Sequence, residues 1–132
     1  MISVPIIHVI DDDPAMLDSL RLLLQVEGYS VSAYGSAHAF LDGICSDHFG
    51  CVLTDMHMPE ISGLDLLAIM KEQRVSMPVI VITAHADNQL ASAAKELGAY
   101  DFFAKPFDHD TLLASIREAL EGAWTGGGGV TT

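Results

Sequence analysis

The stretch that decides the fold is HVIDDDP, residues 8–14, in which an apolar run ends in three consecutive carboxylates. The run starts at residue 6 as IIHVI, and its uninterrupted, β-branched character is typical of a strand covered on both faces. Like charges about 4 Å apart repel by roughly 1 to 4 kcal/mol, depending on the local dielectric. A strand end that crowds Asp11, Asp12 and Asp13 therefore predicts a compensating cation nearby.

An apolar run followed by a longer helical pattern occurs five times along the chain. This alternation predicts βαβ crossovers, a parallel sheet and an α/β fold of three layers. Asp13, Ser36, Asp87 and Asp108 are suitable N-caps, whereas Gly28 and Gly98 are suitable helix ends. The strands are predicted over 6–10, 30–34, 51–55, 78–83 and 100–104, and the helices over 14–27, 36–46, 64–73, 88–97 and 108–122.

Composition restricts the class of protein. The 132 residues carry 18 Asp plus Glu against 6 Lys plus Arg, a formal net charge of -12. This balance argues against direct nucleic-acid binding, which needs a basic surface, and favours cations and basic partners. The N-terminus has neither a signal peptide nor a membrane span, and Cys45 and Cys51 have no metal-binding spacing. A cytoplasmic protein with two free thiols is the expectation.

The chain is expected to form one domain over residues 1–122, a length that can bury a core without metal or disulfide support. Residues 123–132 include four consecutive glycines and are predicted to be a flexible tail. That tail is either a natural linker or an artificial end of the expressed chain.

Polar residues are concentrated where the predicted strands end. Ligands of open parallel sheets bind outside the carboxyl ends of the strands. Asp11 and Asp12 follow the first strand, Asp55 and Thr83 end the third and fourth, and Lys105 follows the fifth. Carboxylates are preferred ligands of Mg²⁺, which keeps waters and binds phosphate oxygens. This set predicts a phosphoryl-transfer site in which a carboxylate oxygen is the nucleophile and forms an aspartyl phosphate.

Four segments carry a resemblance to a known family: VIDDD (9–13), VLTDMHMPEISGLDLL (52–67), VIVITAHAD (79–87) and YDFFAKPF (100–107). Over about residues 5–121 the chain resembles a response-regulator receiver domain, most closely the FixJ-like subfamily. The resemblance implies a flavodoxin-like, CheY-like (βα)5 fold with parallel strand order 2-1-3-4-5. FixJ-like members usually carry a DNA-binding domain downstream, so the chain is expected to be the receiver part of a transcriptional regulator.

The resemblance also implies the roles of the acidic residues. Asp55 would be the phosphoacceptor, taking a phosphoryl group from the histidine of a sensor kinase. Asp12 would bind Mg²⁺ directly, and Asp11 directly or through water. Asp55 itself and the main-chain carbonyl of His57 would complete the protein ligands, with Mn²⁺ as an alternative ion.

Further residues are assigned by the same resemblance. Thr83 and Lys105 would each bind a phosphoryl oxygen, and Phe102 would turn inward as Thr83 moves toward the phosphoryl group. The Lys105–Pro106 peptide bond is expected to be cis. His57 and His85 would flank the attacking water and modulate the lifetime of the phosphate.

Two residue groups also have simpler interpretations. Asp13 could bind the metal, but an Asp before Pro at a helix start is more typical of an N-cap. Met56 and Met58 flank His57 and could suggest copper, but a thioether site needs a tighter design than this loop offers.

The predicted function is a Mg²⁺-dependent phosphorylation switch of two-component signalling, which modifies itself and turns over no external substrate. Its expected partners are a histidine kinase and, after phosphorylation, a second copy bound through the fourth helix, fifth strand and fifth helix. A haloacid-dehalogenase-type phosphohydrolase would need a second Asp where His57 stands, and a Rossmann-type binder would need the glycine fingerprint that DDDPAM replaces. An unphosphorylated docking module remains a third alternative.

Overall fold

The continuous apolar runs form the strands of one parallel sheet in the computed structural model, which describes residues 5–43, 50–84 and 88–127, with side chains to residue 121. The sheet order is β2-β1-β3-β4-β5, so the predicted fold and strand order are confirmed. The strands are β1 Ile6–Ile10, β2 Ser30–Tyr34, β3 Gly50–Asp55, β4 Val79–Thr83 and β5 Asp101–Ala104. The helices are α1 Pro14–Val26, α2 Ala37–Gly43, α3 Gly63–Glu72, α4 Asn88–Glu96 and α5 His109–Gly127.

The core lies on both faces of the sheet, which explains why the central strands lack an alternating pattern. One face packs against α1 and α5 through residues such as Leu24 and Ile116. The other packs against α2, α3 and α4 through residues such as Phe40 and Met70. Cys51 is a free thiol on the first face, and burial raises its pKa to about 12, so it is inert at neutral pH.

Side-chain caps fix the helix starts nearest the rim formed by the carboxyl ends of the strands. Asp13 accepts from the Ala15 amide at 3.0 Å and caps α1, which confirms the simpler interpretation of this residue. Ser62 and Asp65 form a reciprocal capping box at α3. Asp108 accepts from the Thr111 amide at 2.9 Å at the start of α5. The predicted cap Asp87 lies outside the described residues.

Most helix boundaries differ from the prediction by one residue, and the end of α5 differs by more. α3 begins at Gly63, one residue early, because the Ser62 cap satisfies its first turn. α5 continues to Gly127, past the end predicted at Gly122 and into the predicted tail. A single glycine costs a helix only about 1 kcal/mol, so Gly122 need not stop it. The rest of the tail and the predicted helix residues 44–46 lie outside the described residues.

No helix within the described ranges is long and apolar enough to cross a membrane.

Candidate functional site

The register of the central strands brings the strand-end residues to one rim. Ile10 pairs with Thr54 across β1 and β3, so Asp11 and Asp55, the next residue of each chain segment, emerge side by side. Thr83 pairs with Ala104 across β4 and β5, which places Lys105 one residue beyond the same rim. The Lys105 amide donates to the carbonyl of Thr83 at 2.7 Å and holds that segment against β4.

Three carboxylates form a tight acidic cluster at this rim. Asp11, Asp12 and Asp55 each offer a carboxylate oxygen, and these oxygens lie within 4.8 Å of one another. Asp11 and Asp55 are buried, whereas Asp12 is exposed. Burial therefore fixes two carboxylates in place and leaves the third open to solvent, from which an ion would enter.

Lys105 neutralises part of this charge. Its Nζ lies 3.2 Å from Asp55 Oδ1 and 3.5 Å from Asp11 Oδ2, and the lysine side chain is 19% exposed. Burial opposes its charged form, but the carboxylates of Asp11 and Asp55 outweigh that effect and raise the pKa of Lys105. Lys105 is therefore a permanent cation at neutral pH, shared between two carboxylates.

Asp11 is the most deeply buried of the three carboxylates. Burial raises its pKa above the ordinary value, while the amide of Asp13, which donates to Asp11 Oδ1 at 2.9 Å, and Lys105 act in the opposite direction. Because the net effect is still a raised pKa, one lysine does not fully compensate the buried charge.

The cluster suits a hard divalent cation. Its donors are carboxylate oxygens, the ligand type that Mg²⁺ and Mn²⁺ prefer, and the cluster carries more negative charge than Lys105 can cancel. Asp13 is outside the cluster, and its side chain is engaged in capping α1.

The other predicted site residues lie around the cluster. Thr83 is fully buried, Phe102 is partly buried against the core under α2, α3 and α4, and the His57 side chain is exposed. The Lys105–Pro106 peptide bond is cis. His85 lies outside the described residues.

Two residues near Asp55 lie within the segment 52–67 that carries the family resemblance, but the resemblance assigns no role to either of them. Thr54 donates to the carbonyl of Asp55 at 3.0 Å, and Gly63 packs against the same carbonyl. A further signal in the sequence is the S-x-x-D pattern of residues 62–65, which marks a helix start beside the loop.

Fold and site together define a doubly wound α/β domain with an acidic cluster at the strand ends that is compatible with a divalent cation. The chain belongs to the response regulator receiver domain family, whose model matches residues 7–117. It is thus a receiver domain of two-component signalling, a phosphorylation-activated switch and not a classical enzyme. The recognition made from the motifs is confirmed.

Curated relatives and solved structures agree with this assignment. The chain is 46% identical to the transcriptional regulatory protein FixJ of Bradyrhizobium diazoefficiens over 89% of its own length and 57% of that protein. It is 41% identical to the response regulator protein TodT of Pseudomonas putida F1, over 88% and 51%. The crystal structure of FixJ-N has a TM-score of 0.83 at 35% identity, covering 91% and 96% of the two chains. The chain spans about half the length of these curated relatives.

Proposed function

We propose that Asp55 accepts the phosphoryl group in a Mg²⁺-dependent reaction and that the domain relays this event to an attached output. The proposal rests on one arrangement: oxygens of three carboxylates lie within 4.8 Å of one another, and the Lys105 Nζ lies 3.2 Å from Asp55 Oδ1. Phosphoryl transfer requires charge neutralisation around the phosphoryl oxygens, and this arrangement offers both a cation site and the Lys105 ammonium beside Asp55.

The reaction consists of a single displacement at phosphorus. A carboxylate oxygen of Asp55 attacks, a P–O bond forms, and the P–N bond to the donor imidazole breaks with its electron pair left on nitrogen. Lys105 then pairs with a phosphoryl oxygen, and the Thr83 hydroxyl donates to another. Hydrolysis reverses the modification when water attacks the phosphorus and Asp55 leaves as a carboxylate.

Mg²⁺ would be held by Asp11, Asp12, Asp55 and the main-chain carbonyl of His57, and when bound it would supply positive charge to the phosphoryl oxygens. Asp11 would share its oxygens between the ion, the Asp13 amide and Lys105, because each oxygen now accepts one hydrogen bond and a carboxylate oxygen can accept a second contact.

The partner is a sensor histidine kinase that covers the rim. A groove of about 440 Å³ runs between α1 and the loop after β5, lined by Met16, Leu20 and Phe107 and bounded by Lys105. On the same helix, Leu22 and Val26 are 64% and 74% exposed but do not line the groove. A kinase helix that covers the groove would bring its phosphohistidine to Asp55.

The output is expected to be transcriptional, since the curated FixJ relatives are named as transcriptional regulators. Thr83 and Phe102 would carry the signal to the face formed by α4, β5 and α5. A second copy of the phosphorylated chain would bind at that face, where Tyr100 is 41% exposed. His57 and His85 would set the lifetime of the phosphate by flanking the attacking water.

A beryllofluoride titration followed by ¹⁹F NMR tests the proposal without a turnover reaction, because this fluoride complex imitates a phosphoryl group on a carboxylate. With Mg²⁺ present, the protein should give protein-bound fluorine signals, and Asp55→Asn should give none. Absence of bound signals from the unmodified chain at saturating Mg²⁺ would contradict the proposal and leave the docking-module interpretation.

A matched pair of variants tests the metal ligands. Asp12→Asn should weaken Mg²⁺-dependent beryllofluoride binding by roughly tenfold or more, since loss of a ligand costs at least as much as loss of an outer partner. Asp13→Asn makes the same charge change one residue away, and asparagine is an equally good N-cap, so binding should stay within about threefold of the unmodified chain. Equal losses in both variants would show a general charge effect and no ligand role for Asp12.

A further inference from the structure

A buried hydroxyl precedes the phosphoacceptor position. Thr54 is 1% exposed in β3, and its register partners Ile10 and Val81 on the neighbouring strands are both buried. Valine has nearly the same shape and would suit this apolar layer without the cost of burying a hydroxyl. The hydroxyl does, however, make a contact that valine cannot make.

That contact is with the peptide unit that follows Asp55. The Thr54 hydroxyl donates to the carbonyl oxygen of Asp55 at 3.0 Å. The amide of the same peptide unit, on Met56, donates to the carbonyl of Ile82 in β4 at 3.0 Å. Both polar groups of this peptide are thus held from opposite sides, which fixes its plane.

The next peptide unit is fixed as well. The Gly63 amide donates to the Met56 carbonyl at 2.8 Å. Gly63 also packs so closely that a Cβ placed there would lie 2.9 Å from the Asp55 carbonyl oxygen. The carbonyl after these two peptide units belongs to His57, the proposed main-chain metal ligand.

We infer that Thr54 is a positioning residue for the phosphorylation site: its hydroxyl orients the Asp55–Met56 peptide and, through it, the acceptor carboxylate and the His57 carbonyl. This inference rests on the proposed function of Asp55. The contact is made through the main chain, so Thr54 itself touches neither metal nor phosphoryl group.

Thr54→Val removes the hydroxyl and keeps the shape. We expect Mg²⁺ affinity and the rate of phosphorylation by acetyl phosphate to fall by roughly three- to tenfold each, the worth of one hydrogen bond. The urea midpoint of unfolding should change little, because the methyl group gained by the apolar layer offsets the hydrogen bond lost by the Asp55 carbonyl. Isothermal titration gives the affinity, and intact-mass time courses give the rate.

Thr54→Ser keeps the hydroxyl, loses the methyl group, and should restore both functional constants while lowering the unfolding midpoint. If Thr54 served packing alone, Thr54→Val would keep the Mg²⁺ affinity and the phosphorylation rate, and Thr54→Ser would lower them. If Thr54→Val does not fold, the pair Thr54→Ser and Thr54→Ala, which differ only in the hydroxyl, gives the same comparison. Equal Mg²⁺ affinity and rate within that pair would overturn the inference.

Amide exchange separates this inference from the proposed function. In the metal-free protein, the Met56 amide should exchange roughly three- to tenfold faster in Thr54→Val, while the Val52 amide, which donates to the Pro78 carbonyl, should be unchanged. If the unmodified chain takes up no phosphoryl group, the proposed function fails, and unchanged Met56 exchange would overturn the role of Thr54 independently. If the unmodified chain is functional, wild-type Mg²⁺ affinity and a wild-type phosphorylation rate in Thr54→Val would overturn the role of Thr54, whatever the Met56 amide exchange rate.

Discussion

Gly50→Ala is expected to destabilise this domain by about 3 to 5 kcal/mol, a large part of the roughly 5 to 15 kcal/mol that a domain of ordinary stability has. Gly50 begins β3 and pairs with Ile6 of β1, and its φ is +150°. An alanine Cβ would lie 1.9 Å from the Ile6 carbonyl oxygen, a backbone atom that cannot move without breaking the β1–β3 ladder. Urea unfolding followed by circular dichroism measures the loss.

Gly35→Ala is the matched control for this prediction. Gly35 follows β2, has an ordinary φ, and a Cβ there would meet nothing within 4 Å. Its unfolding free energy should remain within about 0.5 kcal/mol of the unmodified chain. A Gly50→Ala variant that loses less than about 1 kcal/mol would show that β1 and β3 do not approach as closely as described.

Lys105→Met is expected to separate metal binding from phosphoryl transfer. The lysine lies 3.2 Å from Asp55 and 3.5 Å from Asp11, so in the metal-free site it competes with Mg²⁺ for the same carboxylates. Its loss should raise Mg²⁺ affinity by about tenfold. The rate of phosphorylation should fall by about 100-fold or more, since no other cation of the described residues contacts Asp55 to stabilise the phosphoryl oxygens.

Titration with Mg²⁺ and acetyl-phosphate time courses on the same samples measure the two effects. Lys95→Met is the control, because Lys95 is an exposed lysine on α4 and its loss makes the same charge change away from the rim. If Lys105→Met is phosphorylated at the wild-type rate, Lys105 has no role in phosphoryl transfer. A fall in its Mg²⁺ affinity would show that Lys105 supports the cation site and does not compete with it.

The strands could be predicted closely because buried parallel strands are continuous apolar runs. The first two have the predicted bounds, and β4 starts one residue later than predicted, at Val79, because Pro78 has no amide to donate to the ladder. The convergence of Asp11, Asp55 and Lys105 also followed from the sequence, since all strand ends of a parallel sheet meet at one rim.

The finer features of the site depend on packing that no local pattern carries. Lys105 contacts the carboxylates of both Asp11 and Asp55, an arrangement that depends on how burial and charge balance in the folded site. Thr54 belongs to a strand buried on both faces, where alternation gives no sign of which polar residue is structural. The close approach of Gly63 to the Asp55 carbonyl is set by the docking of α3.

Intact-mass spectrometry after incubation with acetyl phosphate, with Mg²⁺ or with a chelator, tests whether Asp55 is the phosphoacceptor when it is run on the unmodified chain and on Asp55→Asn. We expect one added phosphoryl group on the unmodified chain with Mg²⁺, and none on Asp55→Asn or without the metal. An adduct of equal yield on Asp55→Asn, or one that forms without a divalent cation, would contradict Asp55 as the Mg²⁺-dependent phosphoacceptor.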